Sequence, residues 1–166
     1  MARYGPEHKT QSRERVVAEA AKAIREQGAH GISVAGVMGA AGLTHGAFYA
    51  HFPSRDALLA AGVDRMFQDS LGRLESAQAE TTDARSALNT YIRFYLSRAH
   101  CDARASGCPL PFLSAEAPRL SGETRVRFAA PSTNAATATA TTSRTSSVTA
   151  ESGSAIVKLY RGAVRK

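Results

Sequence analysis

The segment of residues 32–59, which reads ISVAGVMGAAGLTHGAFYAHFPSRDALL, places the strongest constraint on the fold of this chain. Val34, Val37 and Met38 recur at positions i, i+3 and i+4, which is the apolar stripe of a short helix. Small residues and Gly42 follow directly, and they favour the end of that helix and a tight turn. The segment therefore begins with a short helix and a turn.

A second short helix is predicted over residues 45–52. Thr44 is a favourable N-cap residue for it, and Pro53 prevents it from continuing unchanged. Ser54 is then placed to cap a third helix. Two short helices joined by a glycine-containing turn are typical of the helix-turn-helix, a motif that binds DNA.

The second short helix has two different sides. Phe48 and Phe52 lie at i and i+4, so we expect both to face the core. The opposite side would expose small, polar and aromatic residues: Thr44, His45, Gly46, Tyr49 and His51. Between Gln27 and Ser54 the chain has no Lys, Arg, Asp or Glu. An uncharged face of this kind suits entry into the major groove of DNA.

The same stretch resembles the DNA-binding domain of the TetR (tetracycline-repressor) family of bacterial transcription regulators. The residues that carry the resemblance are Gly31-Ile32-Ser33-Val34, Ala41-Gly42-Leu43, Thr44 with Gly46, Phe48-Tyr49-His51-Phe52, and Ser54-Arg55-Asp56-Ala57-Leu58-Leu59. It covers about the first 65 residues closely, about the next 60 loosely and about the last 40 not at all.

The resemblance implies an all-α protein, in which an N-terminal three-helix helix-turn-helix domain precedes a helical domain for ligand binding and dimerisation. It implies a sequence-specific transcriptional regulator, and in particular a repressor that a small ligand releases from DNA. The partners would be a double-stranded DNA operator, a small-molecule inducer and a second copy of the chain. No cofactor, no metal and no membrane partner is expected.

The resemblance also assigns roles to individual residues. Base edges in the groove would be met by Thr44, His45, Gly46 and Tyr49. Phosphates would be held by Ser33, His51 and Arg55, and near the start of the first helix by Lys9, Thr10 and Arg13. A solvated helix face is an equally good interpretation of those last three residues.

The chain divides into four predicted parts: a flexible arm over 1–8, the helix-turn-helix domain over 9–53, a linker helix and helical regulatory domain over 54–128, and a disordered tail over 129–166. The first helix is expected to begin at Lys9 or Thr10 and to run to Gln27, with Gly28 at its C′ position. The linker helix is expected to run to about Ser76 and the next helix over 84–103. Residues 79–83 are a loop, or else the linker helix reaches 80 and Thr81-Thr82 caps the next helix.

An inducer pocket is expected from the resemblance within the second domain. Its candidate residues are Tyr91, Tyr95, Cys108 and Phe112, for which plain core packing is the alternative. Cys108 could also be a redox sensor at a helix N-terminus, although a buried inert cysteine is the better prior. His100 and Cys101 lie nearby, but no fourth zinc ligand is evident.

Composition limits the remaining possibilities. The chain has 166 residues, a formal charge of +7 and two cysteines. It has no apolar run of the ~20 residues that a membrane helix needs, and its N-terminus has no signal-peptide core. A cytoplasmic protein without a disulfide framework is therefore expected. No motif pairs His45, His51, Cys108 and Glu116 for catalysis, so an enzyme is disfavoured.

The tail departs from the family pattern. Of the 27 residues over 129–155, 21 are Ala, Ser or Thr, and Leu, Ile, Phe and Met are absent there. Such a segment cannot bury enough apolar surface to offset the entropy of ordering it. The ligand and dimerisation domain is therefore predicted to be incomplete. The alternative function is a truncated or frame-altered regulator that binds DNA weakly and cannot dimerise normally.

Overall fold

The structure, a computed structural model, describes residues 6–80 and 83–129. All regular secondary structure in these two ranges is helical, which confirms the predicted all-α class. The elements in chain order are α1 (Pro6–Gly31), α2 (Val34–Ala40), a 3-10 helix (His45–Ala50), α3 (Arg55–Ala79), α4 (Ala84–Tyr95), α5 (Arg98–Asp102), a 3-10 helix (Arg104–Ser106), α6 (Pro109–Glu116), a 3-10 helix (Ala117–Arg119) and α7 (122–129). None of the described helices is long and apolar enough to cross a membrane.

A single hydrophobic core lies between α1 and α3 and is closed at one end by α2 and the first 3-10 helix. Its large, fully buried apolar side chains include Val16, Ile24, Met38, Phe52, Leu58, Val63, Met66 and, from α6, Leu113. Gly62 lets the two long helices approach closely, because a Cβ atom there would lie only 2.7 Å from Cδ1 of Ile24. The core therefore supports the short helices that precede α3.

The start of α1 corrects the predicted arm over 1–8. Helix α1 begins at Pro6, since proline is well tolerated in a first turn and Glu7 interacts favourably with the helix dipole there. Residues 1–5 lie outside the described part of the chain. Gly28 breaks the helical path with φ of 84°, as predicted for a C′ glycine, and one further turn extends to Gly31.

The predicted α-helix over 45–52 is a 3-10 helix, His45–Ala50. Its hydrogen bonds span three residues: the N–H of Ala47 donates to the carbonyl of Thr44, and the N–H of His51 donates to that of Phe48. Thr44 occupies the predicted N-cap position but makes no side-chain capping bond. Ser54 does cap α3, because its Oγ accepts from the N–H of Ala57 at 3.0 Å.

The single helix predicted over 84–103 is wrong, because the chain forms two helices there, α4 and α5. Ser97 starts the second one, since its Oγ accepts from the N–H of His100 at 3.1 Å. His100 Nδ1 lies 2.9 Å from the carbonyl oxygen of Tyr95, so a side chain of α5 contacts the last residue of α4 across the break between the two helices. Asp83 caps α4, and the alternative cap at Thr81-Thr82 lies outside the described residues.

Helix α7 begins directly after Ser121. It anchors to the beginning of α3, where Asp56 Oδ1 accepts hydrogen bonds from Ser121 Oγ and, at 2.8 Å, from Thr124 Oγ1. Phe128 packs on Phe67 with ring centroids 5.8 Å apart. The tail predicted over 129–166 lies outside the described residues, apart from Ala129 at the end of α7.

Candidate nucleic-acid interface

We call α2, the turn after it and the first 3-10 helix, residues 34–50, the reading head. Ser33 caps α2, because its Oγ accepts from the N–H of Gly36 at 3.0 Å. Val37 and Met38 are buried as the apolar spacing predicted. The turn is closed by Gly42, which has φ of 73°, and by a 2.9 Å bond from the N–H of Leu43 to the carbonyl of Met38. Ser33 is exposed, but its predicted phosphate contact would use a hydroxyl that already caps the helix.

The 3-10 helix has the two sides that the sequence predicts. Phe48 and Phe52 are buried, with 2% and 1% of their surfaces exposed, whereas Tyr49 is 73% exposed. The Tyr49 ring packs edge-on against Phe48 with centroids 5.1 Å apart, so the core orients this exposed side chain. Thr44, His45 and Gly46 are exposed beside it.

Packing inside the protein does not require a glycine at position 46. A Cβ atom at this position would meet no atom within 4 Å. The open space lies on the exposed side of the 3-10 helix, so a partner could approach the backbone closely there.

The N-terminal half of α1 adds positive charge beside this helix. Lys9, Thr10 and Arg13 are all exposed, and the Arg13 guanidinium lies 4.7 Å from the centre of the Phe52 ring. Burial lowers the pKa of the neighbouring His51, and the charges of Lys9 and Arg13 lower it further. We call Lys9, Thr10, Arg13 and His51 the basic edge.

His51 is half-buried rather than part of the exposed face. Its Nδ1 is buried and has no hydrogen-bond partner among the described residues. The structure brings His51 close to Lys9 and Arg13, as a shared phosphate site would require. That contact with phosphate stays a prediction.

Arg55 has a structural role that the sequence did not predict. Its Nη2 donates to the carbonyl oxygen of Ala29 at 2.8 Å and to that of Ile32 at 3.1 Å. Arg55 therefore fixes the connection between α1 and α2 from the first turn of α3. A phosphate contact through its other N–H groups stays a prediction.

The predicted pocket residues come partly together. The rings of Tyr91 and Tyr95 lie 6.1 Å apart, and Tyr95 interacts with Cys108. Burial and the nearby Cys108 thiol raise the pKa of Tyr95 to about 12. Burial also raises the pKa of Cys108, which disfavours a reactive thiolate and hence the redox alternative. The side chain of Phe112 lies outside the described residues.

Two surface hollows in the described chain lie elsewhere. One is lined by α1 and Arg65, and the other, of about 250 Å³, runs between α1 and α2. Neither contains the predicted pocket residues. No group of three His, Cys, Asp or Glu within 6–80 and 83–129 is arranged to hold a metal ion.

Sequence reasoning missed three polar residues that join α1 to α3 and to the segment 107–116: Arg25, Asp69 and Glu116. The buried Arg25 guanidinium donates to Asp69 Oδ2 at 2.9 Å and to the carbonyls of Met66 and Gly107. One signal was available for Arg25. It follows Ala21 by four residues, so a charge occupies the apolar stripe of α1.

These helices, with an exposed uncharged 3-10 helix and a basic edge, define a helix-turn-helix DNA-binding fold. Residues 16–61 match the family described as bacterial regulatory proteins, tetR family. An uncharacterised HTH-type transcriptional regulator of Mycobacterium tuberculosis is 34% identical over 106 residues, which are 63% of this chain and 53% of that protein. Over residues 16–61 the chain is therefore similar to the N-terminal domain of tetR-family regulatory proteins.

Solved structures share the fold. A TetR-family transcriptional regulator from Rhodococcus sp. superposes with a TM-score of 0.72 at 20% identity, over 92% of this chain and 85% of that one. The reduced form of Escherichia coli NemR superposes with a TM-score of 0.66 at 20% identity, over 93% and 86%. The chain spans about half the length of the curated relatives that it matches.

Proposed function

We propose that this protein is a sequence-specific DNA-binding regulator of transcription whose 3-10 helix enters the major groove of an operator. The observation that carries the proposal is the exposed side of that helix. Tyr49 projects from it, with Thr44, His45 and Gly46 alongside, while Phe48 and Phe52 anchor it in the core. Hydroxyl, imidazole and phenol groups can donate to and accept from base edges, so they supply specificity.

The basic edge supplies affinity in this proposal. Lys9, Thr10, Arg13 and His51 face the phosphates that flank the groove, and the capped N-terminus of α2 at Ser33 directs backbone N–H groups toward another phosphate. Contacts of this kind release counterions, so the affinity falls steeply as the salt concentration rises. The absence of charge in the reading head itself leaves sequence selection to the polar groups.

The regulatory part of the proposal is a ligand-released repressor that acts as a homodimer. Tyr91, Tyr95 and Cys108 lie together on one side of α4 and at the start of α6, where a small inducer could make both apolar and hydrogen-bonding contacts. A ligand that prefers one position of these helices would shift the separation of two reading heads and so release DNA.

Selection of bound sequences from random duplex DNA tests the DNA-binding proposal. We expect a recurring palindrome, because two reading heads related by a two-fold axis read inverted half-sites. Recovery of a single half-site, together with a monomer in sedimentation, would favour the truncated or frame-altered alternative. That alternative is motivated by the composition of 129–155. Absence of any enriched sequence at low salt would contradict both.

Tyr49→Ala tests the contact surface directly. We expect about a tenfold loss of affinity for the selected duplex and a melting temperature close to that of the parent protein, because the side chain is exposed. Leu96→Ala is the matched control, since Leu96 is 77% exposed but lies far along the chain from the reading head. A large loss of stability in Tyr49→Ala would show that the ring belongs to the core.

A further inference from the structure

Glu116, at the end of α6, contacts the junction between α1 and α2. Its Oε2 accepts a hydrogen bond from the backbone N–H of Ala29 at 2.9 Å. The carboxylate lies so close to the junction that a Cβ atom on Gly28 would be 2.5 Å from Oε1. Gly28 has φ of 84° there, so the absence of a side chain serves both the turn and the contact.

The backbone carbonyl of Ala29 is held by a different element, α3. The carbonyl oxygen of Ala29 accepts from Arg55 Nη2 at 2.8 Å, and the same nitrogen donates to the carbonyl of Ile32 at 3.1 Å. Ala29 is only 1% exposed. Side chains from α6 and α3 therefore fix both the N–H and the C=O of Ala29, a few residues before the reading head begins.

We propose that Glu116 is a positioning residue for the reading head. Its carboxylate fixes the direction in which the chain leaves α1, and that direction sets the orientation of α2 and of the 3-10 helix behind it. Leu113 and Ala117 are buried in the core on either side of this contact, so the Glu116 carboxylate moves with α6. A displacement of α6 would then reorient the surface that meets DNA.

The sign of the effect separates positioning from simple electrostatics. The inference rests on the proposed DNA-binding function, and DNA repels negative charge. Removal of a carboxylate through charge alone should therefore strengthen DNA binding. Loss of a positioning contact should weaken it, so the two explanations predict opposite changes.

The test uses the full chain and three variants. Glu116→Ala removes the acceptor, whereas Glu116→Gln keeps an amide oxygen that can accept from Ala29 without the charge. Glu75→Ala is the matched control, because Glu75 is exposed on α3. Each protein is measured for affinity toward the selected duplex over a range of salt concentrations, for amide hydrogen exchange and for melting temperature.

For Glu116→Ala we expect about a tenfold loss of affinity with an unchanged slope of affinity against salt, and at least about tenfold faster exchange of the Ala29 amide. Glu116→Gln should lose only about twofold to threefold, because it can restore the hydrogen bond. Glu75→Ala should bind as the parent does, or slightly tighter. Unchanged or tighter DNA binding by Glu116→Ala would overturn the inference, even with faster Ala29 exchange.

Two further outcomes are distinguishable. If the parent chain binds no selected duplex, the proposed function fails, and Glu116 is judged by amide exchange at Val37 within α2 and at Ala41 directly after it. Faster exchange there in Glu116→Ala would support the positioning role, and unchanged exchange would overturn it. If Glu116→Ala is unfolded at the assay temperature, Glu116→Gln tests the inference instead. The inference then requires that Glu116→Gln binds DNA more weakly than the parent and exchanges its Ala29 amide faster.

Discussion

The four helices α1, α2, the 3-10 helix His45–Ala50 and α3 form a first region, which is held differently from the region 83–129. In the first region, side chains from α1, α2, the 3-10 helix and α3 form a core with surfaces that are 2% exposed or less, such as Ile24, Met38 and Phe52. In the second region, Ile92 and Phe94 of α4 and Leu96 directly after it are substantially exposed. The second region buries mainly Leu113, Leu120 and Phe128, which lie in the core cluster of the first.

Polar contacts complete the attachment of the second region. Arg25 reaches the carbonyl of Gly107, Glu116 reaches the N–H of Ala29, and Asp56 accepts from Thr124. The free energy of a core of close-packed apolar side chains changes steeply when any one is removed. Individual hydrogen bonds contribute less, so they can exchange without unfolding the domain. The comparison therefore separates a region that sets the fold from one whose position can be adjusted.

The largest effect is expected from the core of the first region. Phe52→Ala should lower the free energy of unfolding by about 3–5 kcal/mol, because it leaves a cavity between α1 and the 3-10 helix. Phe94→Ala is the matched substitution in the second region, where the ring is 39% exposed, and should cost less than about 1.5 kcal/mol. Chemical denaturation measures both values. Equal losses would contradict the difference in packing between the two regions.

The buried ion pair gives the next largest effect. Arg25→Ala should cost about 2–4 kcal/mol, because it removes a buried guanidinium that donates to Asp69 and to the carbonyls of Met66 and Gly107, and leaves Arg65 as the remaining partner of Asp69. Arg98→Ala is the control, since the Arg98–Asp102 pair has side chains that are 87% and 59% exposed. Its loss should be below about 0.5 kcal/mol. Similar melting curves for the two variants would contradict the proposal that Arg25 stabilises the packing of α1 against α3 and Gly107.

The pH dependence of Arg25→Ala sharpens this prediction. Burial opposes ionisation of Asp69, but hydrogen bonds from Arg65 and Arg25 outweigh it and lower the pKa of the carboxyl. A lowered carboxyl pKa stabilises the fold above the unfolded value of 3.8. That contribution is lost as the pH falls through the folded-state pKa. The stability difference between parent and variant should therefore shrink in acid, and a difference independent of pH would contradict this cause.

A smaller effect is expected at the junction between α1 and α2. Gly28→Ala should cost about 1–3 kcal/mol, because φ is positive and the new methyl group would collide with Glu116. Gly72→Ala is the control: it lies within α3, where a Cβ atom meets nothing within 4 Å. That variant should be more stable by up to about 1 kcal/mol. Thermal melts that shift in the same direction would contradict the geometric argument.

Local patterns predicted the elements of the first region well. The apolar spacing of Val37 and Met38, the Ser54 cap and the C′ glycine at Gly28 all depend on neighbours within four residues, so they can be read from the sequence. The 3-10 form of His45–Ala50 could not be predicted from the sequence, because it depends on how Phe48 and Phe52 pack in the core.

The residues that join the two regions could not be predicted from any local pattern. Arg55 reaches a carbonyl 26 residues away, and Glu116 reaches an N–H 87 residues away. A phosphate contact was the natural expectation for Arg55 beside a helix N-terminus, yet its Nη2 is held by the protein itself. The break at Ser97 was missed for a related reason, since the apolar spacing continues through it while a serine cap and His100 reset the helix.

The smallest expected effect concerns the basic edge and is a dependence of DNA affinity on pH. Burial, Lys9 and Arg13 lower the pKa of His51 in the free protein from its usual 6.5. A phosphate bound beside the imidazole would raise that pKa, so the complex would take up a proton. DNA affinity should then rise by about threefold between pH 8 and pH 6, and level off below the lowered pKa of the free protein. The unfolded chain binds the proton more readily than the folded one, so stability falls as the pH drops below the unfolded value of 6.5. The affinities must therefore be measured well below the melting temperature. His51→Gln removes this titration and keeps a polar side chain. It should bind with a weaker dependence on pH, whereas an identical dependence would show that another group takes up the proton.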